Sequence, residues 1–275
     1  MSRQIVLVTG ASSGIGNAVA KEFINKGFKV YGTSRNPGKI SKQQAGEIMF
    51  LSLDLSDVES RKACIDNILR LEGQINILVN NAGYGQMGPL ADISVEQMHK
   101  QFETNLFGPA SLAQRVIPAM IKQKSGMIVN ISSISGVVPS AFAGVYCASK
   151  AAMNAWSDTL RMELKPFGVK VITVQSGAIE SNFGKTAAES FAFGKEASIY
   201  TPIAEFVNKR AFISQQGAMP ANEFAQRLVK QLIKKRPHTI IRLGKSSVVY
   251  PLLKRWLPTF MLDRIISRKF GLSRL

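Results

Sequence analysis

Tyr146 and Lys150 stand four residues apart, a spacing that puts both on one face of a helix, one turn from each other. A phenol ionises near ~10 in water, too high for proton transfer at neutral pH. An ammonium held close favours the phenolate and lowers that value. A tyrosine tuned in this way can protonate a carbonyl oxygen or take the proton of an alcohol. The pair is equally compatible with an ordinary surface helix, so the elements around it must decide its meaning.

Those elements alternate. Apolar runs at 5–9, 29–34, 49–53, 75–80, 127–132, 169–175 and 239–243 read as strands, and helical patterns such as 58–71, 95–123 and 144–166 fall between them. This order predicts an α/β fold of the doubly wound Rossmann type: a seven-stranded, mostly parallel sheet with helices on both faces. Residues 1–245 form the predicted domain. The pattern lapses from 182 to 220, a stretch long enough to be a lid or binding loop, with one short helix begun by Thr201-Pro202 as N-cap and first position. Residues 246–275 form a basic amphipathic extension.

The first strand runs into a turn with Gly10, Gly14 and Gly16, separated by Ala11, Ser12, Ser13 and Ile15, and then into a helix ended by Gly27. Such a turn lets backbone approach a pyrophosphate, whose charge meets the helix N-terminus. The spacing is not the G-x-G-x-x-G of the usual dinucleotide fingerprint. The second strand ends at Ser34-Arg35, and no acid lies between Gly27 and Lys42. An acid there suits the ribose hydroxyl of NAD, whereas an arginine suits the 2′-phosphate of NADP. Arg35 therefore predicts NADP(H).

Residues 9–16, Asn80-Asn81-Ala82-Gly83, Asn105, Ser133 and Tyr146-x-x-x-Lys150 appear in the order and approximate spacing of the short-chain dehydrogenase/reductase family, which residues 4–245 resemble. The resemblance implies that Tyr146 is the proton donor or acceptor. Lys150 would bind the nicotinamide ribose and lower the tyrosine pKa. Ser133, thirteen residues before Tyr146, would hydrogen-bond the substrate oxygen; its neighbour Ser132 points the other way by strand alternation. Asn105 would hold a water linking Lys150 to solvent. Asp54 and Leu55 match the adenine position, Asn81, Ala82 and Gly83 the adenosine side, and Ile179 and Ser181 the nicotinamide side. The family's Pro-Gly after the sixth strand is replaced by Ser176-Gly177, which puts the stiffness of that loop in question. The implied reaction is hydride transfer between nicotinamide and a carbonyl or secondary alcohol, without a metal; His99 and His238 are assigned to no site.

Lys and Arg total 35 against 18 Asp and Glu, for a net charge of +17. Residues 227–275 hold 13 Lys and Arg and one acid, Asp263, and so carry +12 of that excess. Val248, Val249, Leu252, Leu253, Trp256, Leu257, Phe260, Met261, Ile265 and Ile266 form an apolar face there, flanked by Lys254, Arg255, Arg264, Arg268 and Lys269. Pro251 and Pro258 should break it into pieces, and the charges argue against a membrane span. The pattern predicts either a segment lying on an anionic membrane surface or a tail packed on its own domain or a second subunit. No nucleic-acid motif accompanies the charge. Two cysteines, Cys64 and Cys147, make no disulfide framework. Together with the absence of a signal-peptide pattern, they predict a cytoplasmic protein, peripheral at a membrane surface if the tail binds one. Family members are often homo-oligomers, and nothing in the sequence selects a state.

Phe183, Phe191, Phe193, Ile199, Tyr200 and Phe206 make the lid apolar, which suits a lipid-like carbonyl or alcohol. Within the family, Ser198-Ile199-Tyr200, Met219-Pro220-Ala221, residues 224–232 and Arg268-Lys269-Phe270-Gly271-Leu272 most resemble acyl-dihydroxyacetone-phosphate reductases. Retinol and hydroxysteroid dehydrogenases share the cofactor motifs. A different reading is an idle NADP-binding sensor or membrane-surface scaffold. The complete set Asn105, Ser133, Tyr146 and Lys150 argues for the enzyme, because an idle protein has no chemical need of it.

Overall fold

Strands buried on both faces need continuous apolar runs, and the chain supplies them. β1 (Ile5–Val8) and β4 (Ile77–Asn80) are buried throughout. In the computed structural model, which describes residues 3–189, 198–215 and 217–275, these strands are central in a seven-stranded sheet of order β3-β2-β1-β4-β5-β6-β7. The others are β2 (Lys29–Ser34), β3 (Met49–Ser52), β5 (Gly126–Ser133), β6 (Val169–Ser176) and β7 (Ile240–Leu243). Every pair is parallel, β6 with β7 included, so the sheet is parallel throughout rather than mostly so. Strand order reverses between β1 and β4. Open α/β sheets bind ligands at that reversal, beyond the carboxyl ends of the strands.

Helices cover both faces. Alternation along β1 sends Val6 and Val8 to one side, where they meet Val19 and Phe23 of α1 (Gly14–Asn25). Ile5 and Leu7 go to the other side, toward Ile65, Ile68, Leu112, Val116 and Leu160. A short α2 (Lys42–Ala45) stands between β2 and β3. Asp57 caps α3 (Val58–Glu72) through the Glu59 and Ser60 N–H groups. The single helix expected over 95–123 is α4 (Val95–Phe102) and α5 (Gly108–Lys122), joined by a π-helical turn at Glu103–Phe107 that contains Asn105.

α6 (Gly144–Leu164), which carries Tyr146 and Lys150, is fixed to the sheet by a buried polar rung. Asn80 Nδ2 donates to Asn130 Oδ1 at 2.9 Å, and Asn130 Nδ2 donates to Ser157 Oγ at 2.9 Å. Both bonds are buried, so this rung ties α6 to β5 and β4.

After β6 the chain forms α7 (Phe183–Glu189), α8 (Ala204–Lys209) and α9 (Ala221–Leu232). Thr201 does not cap a helix: its hydroxyl donates to the Ser198 carbonyl, and Thr201–Ile203 is a 3-10 turn leading into α8. Phe191 and Phe193 lie outside the described residues. Phe224, Leu228 and Leu232 of α9 are buried, whereas Ile233 is exposed just beyond the helix end.

The extension folds into α10 (Val249–Trp256) and α11 (Thr259–Lys269). Pro251 does not interrupt α10, because it stands in the first turn, where its missing N–H costs no helical hydrogen bond. Pro258 does separate the two helices. Phe270 is buried with Phe142, Ile203 and Val207, so the tail packs on the lid. No helix among the described residues is long and apolar enough to cross a membrane.

Candidate active site

Four loops leave the carboxyl ends of β1, β4, β5 and β6 and converge at the strand-order reversal. Gly10 turns with φ +64°, and a Cβ on Gly16 would overlap both the Gly10 carbonyl oxygen and the Asn81 side-chain amide. Asn81 braces this turn across the sheet: its Nδ2 donates to Thr9 O at 2.9 Å and to Gly10 O at 3.3 Å. No acid occupies the first turn of α1, and the Ser13 side chain does not cap it. That helix start is suited to an anion. Ser181 closes over it, its Cβ 3.2 Å from where a Gly14 Cβ would be.

Ser133 ends β5 with its hydroxyl donating to Ser176 O at 3.4 Å and accepting from Ser135 N at 3.1 Å. It lies near enough to the Tyr146 phenol to pull its pKa down. Ser132 points away, its Oγ donating to Lys150 O at 3.3 Å, as alternation requires. Tyr146 is buried, with its ring 5.3 Å from that of Phe183. Burial pushes its phenol up to about 12, while Ser133 and the charge of Arg210 pull the other way. Lys150 is not among the groups that lower the Tyr146 pKa in this structure. The Lys150 ammonium stands 5.9 Å from the Tyr146 ring centre and instead donates to Ile131 O at 2.8 Å. Burial lowers the Lys150 pKa to about 8.

Asn105 is 1% exposed. The π-helical turn presents its amide to the Tyr84 backbone, with Nδ2 donating to Tyr84 O at 3.0 Å and Oδ1 accepting from Tyr84 N at 3.2 Å. Nδ2 also donates to Ser149 Oγ at 3.1 Å. Gly83 keeps space open between Asn105 and Lys150: a Cβ there would come within 2.9 Å of Asn105 Oδ1 and 3.9 Å of Lys150 Nζ.

One cavity of about 1200 Å³ is lined by every residue assigned above to catalysis or cofactor binding except Asn105, which stands behind it. Arg35 lies exposed at its cofactor end, near enough to help hold the Asp54 carboxyl below its usual value; the main cause of that lowering is Ser56, whose hydroxyl and N–H both bond Asp54. The bare glycine backbone, the open start of α1 and Arg35 fit a phosphate-bearing dinucleotide.

At the other end, Phe183 and Phe206 of the expected lid set line the cavity. Ile199 is 73% exposed and Tyr200 packs edge-on against Phe142, so neither forms its wall. Sequence reading missed the residues that do: Arg210, and Tyr250, Leu253, Leu262, Ile265 and Phe270 from the extension. Their helical spacing was visible, but not the surface they cover.

Residues 4–190 match the family described as short chain dehydrogenase. A 3-ketodihydrosphingosine reductase of Bacteroides thetaiotaomicron is 32% identical over 267 residues, covering 96% of each chain. The crystal structure of a short-chain dehydrogenase from Streptomyces avermitilis superposes with a TM-score of 0.83 at 31% identity, covering 100% of this chain and 98% of that one. A metagenomic short-chain oxidoreductase in complex with NADP superposes with a TM-score of 0.69 at 27% identity, covering 88% of this chain and 97% of its own.

Proposed function

Because this chain belongs to the short-chain dehydrogenase family and is an oxidoreductase, we propose that it uses NADP(H) to interconvert a carbonyl and a secondary alcohol on a lipid-like substrate. The observation that carries this reading is the shared cavity, in which Tyr146 lies between the glycine turn and an apolar wall built by the lid and the extension. When bound, NADP(H) supplies or accepts the hydride. Gly10, Ser12, Ser13, Gly14, Ile15 and Gly16 would receive its pyrophosphate side and Arg35 its 2′-phosphate. Asp54, Leu55, Asn81, Ala82 and Gly83 would line the adenosine, and Ile179 and Ser181 the nicotinamide. Tyr146 gives its phenolic proton to the carbonyl oxygen in reduction, and Ser133 hydrogen-bonds that oxygen. Lys150 would hold the nicotinamide ribose, and Asn105 holds the Tyr84 backbone in place. The NADP named with one structural relative and the long-chain ketone named with a curated one both support this reading.

The test is NADPH oxidation against acyl-dihydroxyacetone phosphate, retinal, a ketosteroid, 3-ketodihydrosphingosine and a short-chain ketone, each repeated with NADH. Turnover of an apolar ketone with NADPH well ahead of NADH is expected; a preference for the short-chain ketone would reject the lipid-like substrate. Arg35→Asp is expected to shift the NADPH-to-NADH ratio of kcat/KM about 100-fold toward NADH, as loss of charge-assisted bonds to a phosphate would. An unchanged ratio would show that Arg35 does not read the phosphate.

We also propose that the extension rests on an anionic membrane surface. Trp256 and Phe260 are 76% and 71% exposed, and Arg255, Arg264 and Arg268 lie beside them. Aromatic side chains flanked by cations suit the boundary between headgroups and acyl chains. Joint replacement of Trp256 and Phe260 by Ser is expected to lower binding to phosphatidylserine vesicles at least about 10-fold, read by co-sedimentation. Equal binding by the variant would reject the surface. Deleting 246–275 is a poorer test, because the segment also walls the cavity.

A further inference from the structure

Arg210, the residue after α8, carries a positive charge into the interior without a counter-charge among the described residues. It is 7% exposed. Its Nε donates to Ala141 O at 3.3 Å and its Nη2 to Ser140 Oγ at 2.8 Å, both neutral acceptors. The guanidinium stands over the Phe270 ring, 5.6 Å from its centre. Nη1 has no hydrogen-bond partner among the described residues, and no described carboxylate forms an ion pair with Arg210. Buried charges are ordinarily paired, because desolvation is costly. Arg61, equally buried in this molecule, is paired with Glu103 at 2.9 Å. Lys209, the neighbour of Arg210 in sequence, is paired with Glu205.

The place of this cation gives it a use. Arg210 lines the cavity, and its charge is felt by the Tyr146 phenol. Lys269, which stands over the same Phe270 ring, also lines the cavity, whereas the acid among the described lining residues, Asp54, lies at the cofactor end beside Arg35. The end near Arg210 is therefore cationic as well as apolar, with Leu253, Leu262 and Ile265 supplying the apolar surface. A neutral steroid or retinoid would leave the guanidinium unmatched. A fork of N–H donors fits a phosphate or carboxylate.

Resting on the reading that this cavity takes a lipid-like ketone, we propose that Arg210 binds an anionic group, a phosphate or a carboxylate, carried by that ketone close to its reacting carbon. The substrate is then an anionic amphiphile, with its carbonyl at Tyr146, its charge at Arg210 and its chain along α10 and α11. An amino-ketone would meet a like charge there.

The experiment compares kcat/KM within two matched pairs. One is hexadecanoyl-dihydroxyacetone phosphate against its dephosphorylated ketone; the other is a keto fatty acid against its methyl ester. 3-Ketodihydrosphingosine serves as the amino-ketone. The anionic member of at least one pair is expected to lead about 10-fold or more, and the pair that shows it distinguishes phosphate from carboxylate. Arg210→Gln should cut that lead about 10-fold or more, mostly through KM, and Arg210→Lys should restore part of it. A neutral ketone or the amino-ketone leading in the wild type, or an unchanged lead in Arg210→Gln, would overturn the proposal. If no ketone is turned over, the lipid-reductase reading fails separately. The anion site is then read by calorimetry of hexadecyl phosphate against hexadecanol on the wild type, where equal binding of the two overturns it. The same wild-type comparison decides the matter if Arg210→Gln does not fold.

Discussion

Tyr146→Phe is expected to lower kcat about 10³-fold or more while changing NADPH affinity less than about threefold. General acid catalysis contributes about 10²–10⁴-fold, and this change removes the acid alone. The phenylalanine ring keeps the packing on Phe183 and loses only the hydroxyl that meets Ser133. Because burial holds the phenol up to about 12, Tyr146 carries its proton throughout the neutral range and is ready to give it in reduction. Alcohol oxidation needs the phenolate, and therefore positive charge brought near the ring. Single-turnover kinetics with tightly bound NADPH would separate chemistry from binding. Undiminished hydride transfer in Tyr146→Phe would remove the proposed acid.

Lys150→Met should reduce turnover about 10²-fold or more and yet make the cofactor-free protein more stable at neutral pH. The physical reason is desolvation, which lowers the Lys150 pKa to about 8. An unfolded lysine titrates near ~10.4. Between those values the unfolded chain binds more protons than the folded one, so wild-type stability rises with pH across that window. Below it, the cost of the buried charge is fully present. The melting temperature of Lys150→Met should therefore exceed that of wild type at pH 7, with the gap narrowing as pH rises from about 8 toward 10. A variant no more stable than wild type at pH 7 would show that the bond from Lys150 to Ile131 O outweighs desolvation. Stability given up for a group that works is a common feature of active sites.

Local signals carried the sheet well, and most residues proposed for the site line one cavity. The apolar runs and the glycine turn are periodic or close in sequence, and strand alternation sends Ser132 and Ser133 to different partners. Three features were not legible. The π-helical turn at Glu103–Phe107 leaves helical periodicity almost unchanged, though it aims Asn105 at Tyr84. Pro251 looked like a breaker because its effect depends on where the helix starts. Arg210 follows Asn208 and Lys209 and resembles any solvated cation until tertiary packing buries it. The tail's two apolar faces could likewise not be assigned from spacing, since one covers the cavity and the other stays exposed.

The order in which the chain emerges during synthesis gives the extension a further meaning. All the residues proposed for chemistry and cofactor binding are complete by Ser181, and the strands flanking them need only β7 to finish the sheet. The pocket's outer wall arrives later, with α10, α11 and Phe270. A nascent chain can thus assemble its reactive centre before it can choose what enters it. In such a division, changes in the last helices retune which molecules are admitted while the hydride-transfer apparatus upstream stays intact.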